Sequence, residues 1–492
     1  MSNISQAPGD FGFVGACYQT QSITQDDQEC INWFPEVDPA KSPGERGVVA
    51  LYPTPGYIAK VAFVTQVPIR AMLPGPTGEF LYVIAGNGFY EIGANFLSTG
   101  LVLGNLLTAT GAASLTTNGN QFYMCDGANR YSWDINTRVF TIIAPADGSF
   151  TGADRVDVID NFIIYNKPNS NTWAATDINS ATTSALSFGR KDSAPDNIVT
   201  IIVNKREIFI LGIRTSEVWV DAGLFPFPFQ KLPGTNMQHG CAAPLSPAFL
   251  GESFAFLGAD DRGNTNVFLM EGYVPRNIAT QALSAELDTY GVVSDAIGMS
   301  YEQNGHEFYV LTFPSADKTW CYDLSTGLWH RRAVRDNANV LHRDHANCAA
   351  NFQGFNLFGD KGNGLIYAAS TSTFTDFSDI GNVIPRIRRC RHLTADLNEV
   401  YYHDLQIQFQ PGVGLETGLG EDPQAMLKWS DDGGFTWSNE RWVSIGRVGR
   451  YKNRARWQQL GKSRDRIFEV QVTDPVFPVI VSANLRFSPG AS

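Results

Sequence analysis

A run of hydroxyl, carboxylate and glycine residues near the C-terminus is the first place where this sequence could do chemistry. Five residues follow the spacing S-x-D-x-G-x-T-W: Ser430, Asp432, Gly434, Thr436 and Trp437. Asp431 adds a second carboxylate beside Asp432. Glycoside hydrolysis uses two carboxyl groups that converge on one bond. Adjacent residues of a strand point to opposite faces, so this pair is interpreted as turn residues.

The spacing is that of an Asp box, a motif of sialidases and other β-propeller proteins. Because it lies between two strand-like runs, it predicts a short hairpin whose aspartate accepts hydrogen bonds from turn amides. A sialidase also needs three arginines for the substrate carboxylate, and its usual R-I-P tripeptide is missing; Pro68-Ile69-Arg70 has the wrong order. The box therefore predicts a structural hairpin and no catalytic residue. A glycan-binding or sialidase-like propeller for receptor recognition is the alternative function.

A second cluster, His342, His345 and Cys348, has the spacing H-x-x-H-x-x-C. These ligand types would suit zinc if the segment were helical and Cys321 or Cys390 supplied a fourth ligand. A polar loop with a buried cysteine is the simpler interpretation, so we predict no metal site and no cofactor. The seven cysteines are scattered and odd in number, which favours free thiols, with a Cys17–Cys30 bridge as the alternative.

Basic residues are concentrated near the C-terminus. The run PRIRRCRH starts at Pro385, and residues 441–466 hold nine basic residues and one acid, a local charge of +8. The whole chain has a net charge of −12, so the remainder carries −20. This polarity favours contact with an acidic protein partner over coating of nucleic acid. The candidate interface residues are Arg441, Arg447, Arg450, Lys452, Arg454, Arg456, Arg464 and Arg466. A solvated strand face and a DNA contact are the alternatives.

Short β-branched and aromatic runs with a period of two predict an all-β protein, and 492 residues exceed one hydrophobic core. An aromatic residue recurs every 41 to 52 residues, at Tyr90, Tyr131, Trp173, Trp219, Phe268, Trp320 and Tyr367. That interval matches one four-stranded propeller blade. We predict a β-propeller of about seven blades, with six as the alternative. The single helix candidate spans residues 279–291.

Changes in residue composition and strand pattern along the chain predict three regions. Residues 1–55 form an extended N-terminal arm that could contact a neighbouring subunit, and residues 56–380 form the propeller. Residues 381–492 form an antiparallel, β-sandwich-like domain that carries the Asp box and the basic run. The first residues lack a signal-peptide pattern, and no window approaches 18 apolar residues, so no membrane span is predicted.

The stretch from Leu427 to Pro475 combines W-S-D-D-G-G-x-T-W-S, W-x-S-x-G-x-V-G and R-x-R-W-x-x-L-G-x-x-R-D-R-x-F-E-V. It resembles the C-terminal signature of the packaged-DNA stabilisation proteins of short-tailed bacteriophages, also called tail hub or nozzle proteins. INWFPE, LYPTPG, ILGIRTSEVW and TWCYDLSTGLWHRR resemble upstream parts of the same family.

The resemblance implies a non-enzymatic virion protein with a propeller core. Family members form a ring, commonly a hexamer, below the portal and its adaptor ring. The ring continues the DNA channel, retains the packaged genome without sequence-specific binding, and carries needle, plug, fibre or tailspike proteins. The expected location is the virion tail, after assembly in the host bacterial cytoplasm.

Overall fold

The computed structural model describes residues 5–6, 11–41, 48–144, 150–259, 264–376, 382–395 and 398–490. Strands make up nearly all of their regular structure, which confirms the all-β prediction. Six short strands come first: β1 (Ser5–Gln6), β2 (Tyr18–Gln19), β3 (Asp27–Gln28), β4 (Cys30–Ile31), β5 (Trp33–Val37) and β6 (Val49–Pro53).

Four antiparallel four-stranded sheets then follow in order along the chain, after β7 (Gly56–Ala62). Blade 1 contains β8 (Ile69–Pro74), β9 (Phe80–Ala85), β10 (Gly88–Gly93) and β11 (Ser98–Asn105). Blade 2 contains β12 (Ser114–Thr117), β13 (Gln121–Cys125), β14 (Arg130–Asp134) and β15 (Phe140–Ile142). Blade 3 contains β16 (Val156–Ile159), β17 (Phe162–Asn166), β18 (Thr172–Ala175) and β19 (Phe188–Arg190). Blade 4 contains β20 (Ile198–Asn204), β21 (Glu207–Gly212), β22 (Ser216–Asp221) and β23 (Phe229–Lys231).

The remaining blades include one helix between them. Blade 5 contains β24 (Gly240–Cys241), β25 (Ala248–Leu250), β26 (Ser253–Ala259), β27 (Thr265–Glu271) and β28 (Val274–Asn277). Both β24 and β25 pair with the same edge of β26 and together take the place of the first strand of the blade. Helix α1 (Gln281–Leu287) precedes blade 6, which contains β29 (Ile297–Gln303), β30 (His306–Phe313), β31 (Lys318–Asp323) and β32 (Leu328–Arg332). The hairpin β33 (Val334–Arg335) and β34 (Leu341–His342) leads to β35 (Ala346–Phe352), β36 (Phe355–Asp360) and β37 (Leu365–Ser370) of blade 7.

The propeller closes through its own N-terminal strand. β7 pairs antiparallel with β37 and completes blade 7, although the two strands are about 300 residues apart in sequence. The first strand of blade 7, β35, packs against the first strand of blade 1, β8. The described residues therefore form seven four-stranded blades, and the six-blade alternative is wrong. A closed ring of blades leaves no long sheet edge exposed.

The aromatic series predicted from the sequence has a structural basis. Each of its seven members lies on the third strand of a different blade, and the series runs through all seven blades. Trp173 and Tyr367 are fully buried, and Trp173 packs edge-on against Trp219 of blade 4. The third strand of one blade thus contributes a large ring to the contact with its neighbour, which explains why the spacing equals one blade.

The helix is shorter than the predicted span 279–291. It begins after Thr280, whose hydroxyl accepts a hydrogen bond from the Leu283 amide, and it ends at Leu287. Turn hydrogen bonds from Thr289 to Glu286 and from Tyr290 to Leu287 replace the last helical turn. In the part of the chain that the structure describes, no helix is long and apolar enough to cross a membrane.

The C-terminal domain is a sandwich of two sheets. The paired strands β38 (Thr375–Asp376) and β39 (Asn382–Val383) precede it. Its own strands are β40 (Arg386–Arg389), β41 (Leu393–Thr394), β42 (Val400–Phe409), β43 (Gln424–Ser430), β44 (Arg441–Ser444), β45 (Ala455–Gln458), β46 (Lys462–Ser463), β47 (Asp465–Val472) and β48 (Ile480–Pro489). One sheet has the order β45-β42-β48-β6-β5, and the other has β4-β40-β47-β43-β44. Leu405 and Leu485 of the first sheet share one buried cluster with Leu427 and Val470 of the second.

Residues 11–37, here called the N-terminal strap, join the propeller to the sandwich. β5 extends the first sandwich sheet through β6, while β4 pairs with β40 and also with β32 of blade 6. The Asn32 amide donates to the Ala333 carbonyl at 2.6 Å and to the Pro385 carbonyl at 2.7 Å. Ala333 follows blade 6 and Pro385 precedes β40, so one side chain links the two domains. The described arm thus lies on its own chain, and contact with a neighbouring subunit stays a prediction.

A buried ionic network reinforces this junction. Glu29 pairs with Arg331 of blade 6 and, at 3.3 Å, with Arg389 of the sandwich. Arg389 also pairs with Asp27 and, at 2.7 Å, with Glu469, and each of these side chains is at most 16% exposed. Burial alone would lower the pKa of Arg389, but the carboxylates raise it above its ordinary value. The guanidinium is therefore charged at any physiological pH and holds strap and sandwich together.

Replacement of Arg389 should weaken the whole chain. In Arg389→Met, three buried carboxylates lose their shared cation, at a cost of about 3–5 kcal/mol in the free energy of unfolding. Urea denaturation followed by tryptophan fluorescence measures this loss. Arg206→Met, which breaks the exposed Arg206–Asp160 pair, is the control and should leave the midpoint nearly unchanged. Equal midpoints for the two variants would contradict the assignment.

Burial of His330 at the same junction makes the free energy of unfolding depend on pH. Its imidazole is fully buried, neither nitrogen has a hydrogen-bond partner among the described residues, and the ring packs between Phe34 of the strap and Phe308 of blade 6. Burial lowers the pKa of His330 to about 3. A histidine with a depressed folded pKa contributes stability above its unfolded pKa, near 6.5, and that contribution is lost as the pH falls toward 3.

Acidification should therefore destabilise the wild type more than His330→Leu. Between pH 7 and pH 5, the free energy of unfolding should fall by about 2 kcal/mol more in the wild type, since a leucine side chain cannot bind the proton that the unfolded histidine takes up. Urea titrations of both proteins at the two pH values measure the difference. The same pH dependence in both proteins would show that His330 is not the titrating group.

Candidate interface site: the Asp-box hairpin and the basic loop

The Asp-box residues lie where β43 turns toward β44, in the sandwich and outside the propeller. The Asp432 carboxylate accepts hydrogen bonds from the Thr436 amide at 2.8 Å, the Thr436 hydroxyl at 2.5 Å and the Ser430 hydroxyl at 2.7 Å. These bonds, led by that of the Thr436 hydroxyl, lower the pKa of Asp432 to about 2. The carboxylate is therefore ionised and fixed within the turn, with no role as a proton donor at neutral pH.

The glycines of the box let the turn approach the N-terminal strap. Gly433 and Gly434 have φ values of +77° and +97°, a region that side chains disfavour. A β-carbon on Gly434 would lie 3.2 Å from the Asp27 carboxylate, and one on Gly433 would lie 3.0 Å from Thr24. The Ser430 hydroxyl, which is buried, also accepts from the Gly434 amide at 2.9 Å. The hairpin thus packs on the strap that joins the two domains.

The two tryptophans of this stretch are covered by cations. Trp437 donates to the Gly434 carbonyl at 3.1 Å and lies 4.8 Å from the Arg389 guanidinium, measured to the ring centroid. Trp429 lies between Arg441 at 4.8 Å and Arg466 at 5.3 Å. Arg389 therefore contacts both Trp437 of the Asp box and the carboxylates of the ionic network. This arrangement gives the Asp box a structural role.

The predicted basic interface is only partly a surface. Arg466 is 1% exposed, and its guanidinium binds Asp431 through two bonds of 2.6 and 2.7 Å. Its inclusion in an exposed patch was wrong, because the alternation of β47 directs it inward onto Trp429 and Tyr402. The other candidate positions are exposed.

Among the exposed candidates, three are already engaged within the chain. Arg447 pairs with Glu421 at 3.1 Å, Arg456 pairs with Asp404 at 3.1 Å, and Arg441 donates to the Gln458 carbonyl. The remaining four have no carboxylate within 4 Å in the described residues: Arg450, Lys452, Arg454 and Arg464.

Three of these free cations belong to one connection, residues 447–454, here called the basic loop. It links β44 of one sandwich sheet to β45 of the other. Val448 and Tyr451 are 53% and 70% exposed there, and the Tyr451 ring rests on Gly412. Apolar side chains amid unpaired cations are typical of a surface that another protein covers.

Three of the four arginines of PRIRRCRH bind the N-terminal strap, although Arg391 is itself exposed. Arg388 is fully buried and donates to the Ala16 carbonyl at 2.8 Å and to the Gln28 side chain at 2.9 Å, both on the strap. Arg391 donates to the Phe11 carbonyl at 3.1 Å. Nothing in the local sequence pattern connects this run with the N-terminal arm. The only available signal was the acidic pair Asp27 and Glu29 in the arm, which could have been matched to a basic run elsewhere.

The histidine and cysteine cluster does not assemble. Cys348 lies on strand β35, whereas the zinc interpretation needed a helix, and His345 bonds Asp376 at 2.9 Å. His342 bonds Asp317 at 2.6 Å. Within the described ranges, no group of three or more ligand-type side chains is placed to hold a metal ion. All seven cysteines are free thiols, so the Cys17–Cys30 bridge is absent.

The central channel of the propeller holds a cavity of about 350 Å³. Arg70 and Arg155 line it, but the Arg70 guanidinium donates to the carbonyls of Gly111 and Thr108 at 2.9 and 2.8 Å, and Arg155 approaches the Pro247 carbonyl. A sialidase would direct three arginines at a substrate carboxylate. Arg70 and Arg155 instead donate hydrogen bonds to backbone carbonyls, and the Asp box lies on the sandwich domain.

Ser430→Ala should loosen the hairpin without affecting any catalysis. Loss of a buried hydroxyl that bonds two turn groups costs about 1–3 kcal/mol in the free energy of unfolding. Hydrogen exchange should accelerate at the amides of Gly434 and Thr436. Ser372→Ala, at an exposed turn, is the control and should match the wild type. Wild-type exchange in Ser430→Ala would show that the box does not brace the turn.

Comparison with known proteins agrees with the two-domain architecture. A family model described as the β-propeller of bacteriophage P22 Gp10 matches residues 64–373, and one described as its β-sandwich matches residues 386–488. No curated protein sequence matches the chain.

Solved structures resemble the chain only distantly. The N-terminal domain of Nup159 is 9% identical with a TM-score of 0.38, over 68% of this chain and 98% of that one. The extracellular domain of a one-component system protein from B. thetaiotaomicron is 10% identical with a TM-score of 0.41, over 81% of this chain and 48% of that one. This chain thus spans about half of the latter, and neither similarity bears on function. Because the two family models span most of the sequence, the chain belongs to the bacteriophage P22 Gp10 family, structural proteins of the phage tail that stabilise packaged DNA.

Proposed function

We propose that this protein is a tail hub, or nozzle, which forms a closed ring of six copies below the portal and its adaptor ring. The ring continues the DNA channel, helps to retain the packaged genome and carries the distal needle, plug, fibre or tailspike proteins. DNA passes through the lumen without sequence-specific contacts. The ring is assembled in the host bacterial cytoplasm and has no enzymatic activity.

One observation carries this proposal: a basic, partly apolar loop protrudes from an otherwise strongly acidic chain. The basic loop offers Arg450, Lys452 and Arg454 without carboxylate partners in the described residues, next to exposed Tyr451. The chain outside residues 441–466 carries a net charge of −20. Two unlike surfaces on one molecule favour head-to-tail contacts between copies, which close into a ring.

The internal architecture supports such a role. A ring under the pressure of packaged DNA needs subunits that do not deform, and a closed propeller is a rigid block. The N-terminal strap and the Arg389 network fix the sandwich to that block. The net negative charge would also keep a lumen from holding DNA by its phosphates.

Mass photometry of the protein mixed with its portal-adaptor protein tests the ring. The wild type should form a complex that contains six copies. The triple variant Arg450→Glu, Lys452→Glu and Arg454→Glu should remain largely monomeric while melting like the wild type, since these side chains are exposed. Arg214→Glu, an exposed arginine on blade 4 without an ion-pair partner in the described residues, should assemble normally.

Two results would contradict the proposal in different ways. A wild-type protein that stays monomeric with the adaptor present would refute the ring. A triple variant that assembles like the wild type would leave the ring intact but refute the basic loop as its contact.

A further inference from the structure

A pocket of about 340 Å³ opens on blade 3 of the propeller, far in sequence from the sandwich and the basic loop. Its walls come from β18 and β19, from the segment that joins them, from Lys167 just after β17, and from Phe150 before the blade. Pockets of this volume hold small ligands in other proteins. Blade 3 carries no residue that the tail-hub proposal uses.

The charge of this pocket sets it apart from its surroundings. Lys167 and Arg190 both line it, and no carboxylate does. Neither cation has an ion-pair partner within 4 Å in the described residues, although the chain has an excess of acidic groups. On the adjacent blade 4, by contrast, Lys205 pairs with Glu252 and Lys231 pairs with Asp192. The blade 3 pocket therefore presents two uncompensated positive charges to an incoming anion.

Aromatic rings accompany both cations. The Phe188 ring lies 5.8 Å from the Arg190 guanidinium, and the Phe150 ring lies 5.9 Å from the Lys167 ammonium. Phe188 lies on the edge strand β19 and is 42% exposed, so its ring is not part of the chain's own hydrophobic core. An exposed ring beside a cation gives a flat apolar surface on which the C–H face of a sugar ring can pack.

Hydroxyl groups complete the lining. The Thr183 hydroxyl accepts a hydrogen bond from the Tyr165 hydroxyl at 2.8 Å, so its own proton remains available to a ligand. Ser184 and Thr172 also line the pocket. Cations, apolar rings and neutral hydroxyls together match a ligand that has a carboxylate, a C–H face and several hydroxyl groups.

We propose that this pocket binds a hexuronic acid, as found in the uronic acid units of cell-surface polysaccharides. Arg190 and Lys167 bind the carboxylate, Phe188 packs against the sugar ring, and the hydroxyl groups of Thr183 and Ser184 bond those of the sugar. An inorganic phosphate would use the two cations but not the exposed ring. The pocket would give this tail protein a direct contact with an acidic host glycan, with no chemical step.

Titration of the full-length protein with glucuronate, glucose and inorganic phosphate, followed by ligand-observed NMR, tests the proposal. Glucuronate should bind saturably and about tenfold more tightly than glucose, because only glucuronate pairs with the cations. Arg190→Gln and Lys167→Gln should each weaken glucuronate binding about tenfold. Arg214→Gln and Lys205→Gln are the matched controls on blade 4 and should bind like the wild type.

The role of the ring has its own variant. Phe188→Ala should weaken glucuronate binding and leave any phosphate binding unchanged, and melting curves confirm that each variant is folded. Absence of saturable glucuronate binding would overturn the proposal, as would equal affinity for glucose. Phosphate binding as tight as glucuronate binding, together with an unaffected Phe188→Ala variant, would overturn the sugar assignment.

Discussion

The structure depends on the pairing of Glu29 with two arginines that come from different domains. Arg331 belongs to blade 6 and Arg389 to the sandwich, and all three side chains are nearly inaccessible to water. Buried charges are tolerated only when they are paired, and Glu29 of the strap supplies a carboxylate to an arginine of each domain, beside the Glu469 that the sandwich itself offers Arg389. The same N-terminal chain then supplies β7, which completes blade 7. The N-terminal part of the chain thus contributes both to closure of the propeller and to attachment of the sandwich.

This junction explains the Asp box. In this chain the motif lies on the sandwich, where its glycines approach Asp27 and Thr24 of the strap and Trp437 stacks on Arg389. The box stabilises a turn that packs against the strap at this junction, and turn hydrogen bonds hold the Asp432 carboxylate in place. The strap thus holds the two domains together, and the basic loop is exposed on the sandwich. The P22 Gp10 family consists of phage structural proteins that stabilise packaged DNA, and two firmly joined domains suit that role.

Most of the fold could be predicted from local sequence patterns. Strand alternation and the aromatic series predicted seven blades because each blade repeats one aromatic ring on its third strand, buried in five of the seven, a signal within about 50 residues. The strap was not predictable in the same way, since Asn32 bonds Ala333 and Pro385 across more than 300 residues of sequence. Charge alone also misplaced Arg466, because a one-residue change of strand face decides between solvent and core. The blade 3 pocket left no sequence signal, since its residues come from separate segments.

A cryo-electron microscopy reconstruction of the phage particle tests the central claim most directly, namely that the strap makes propeller and sandwich one rigid subunit of a tail ring. The account predicts six copies below the portal-adaptor ring, each with Glu29 in contact with both Arg331 and Arg389. A tail without this chain, or a ring whose sandwich domains have separated from their propellers at this junction, would contradict it.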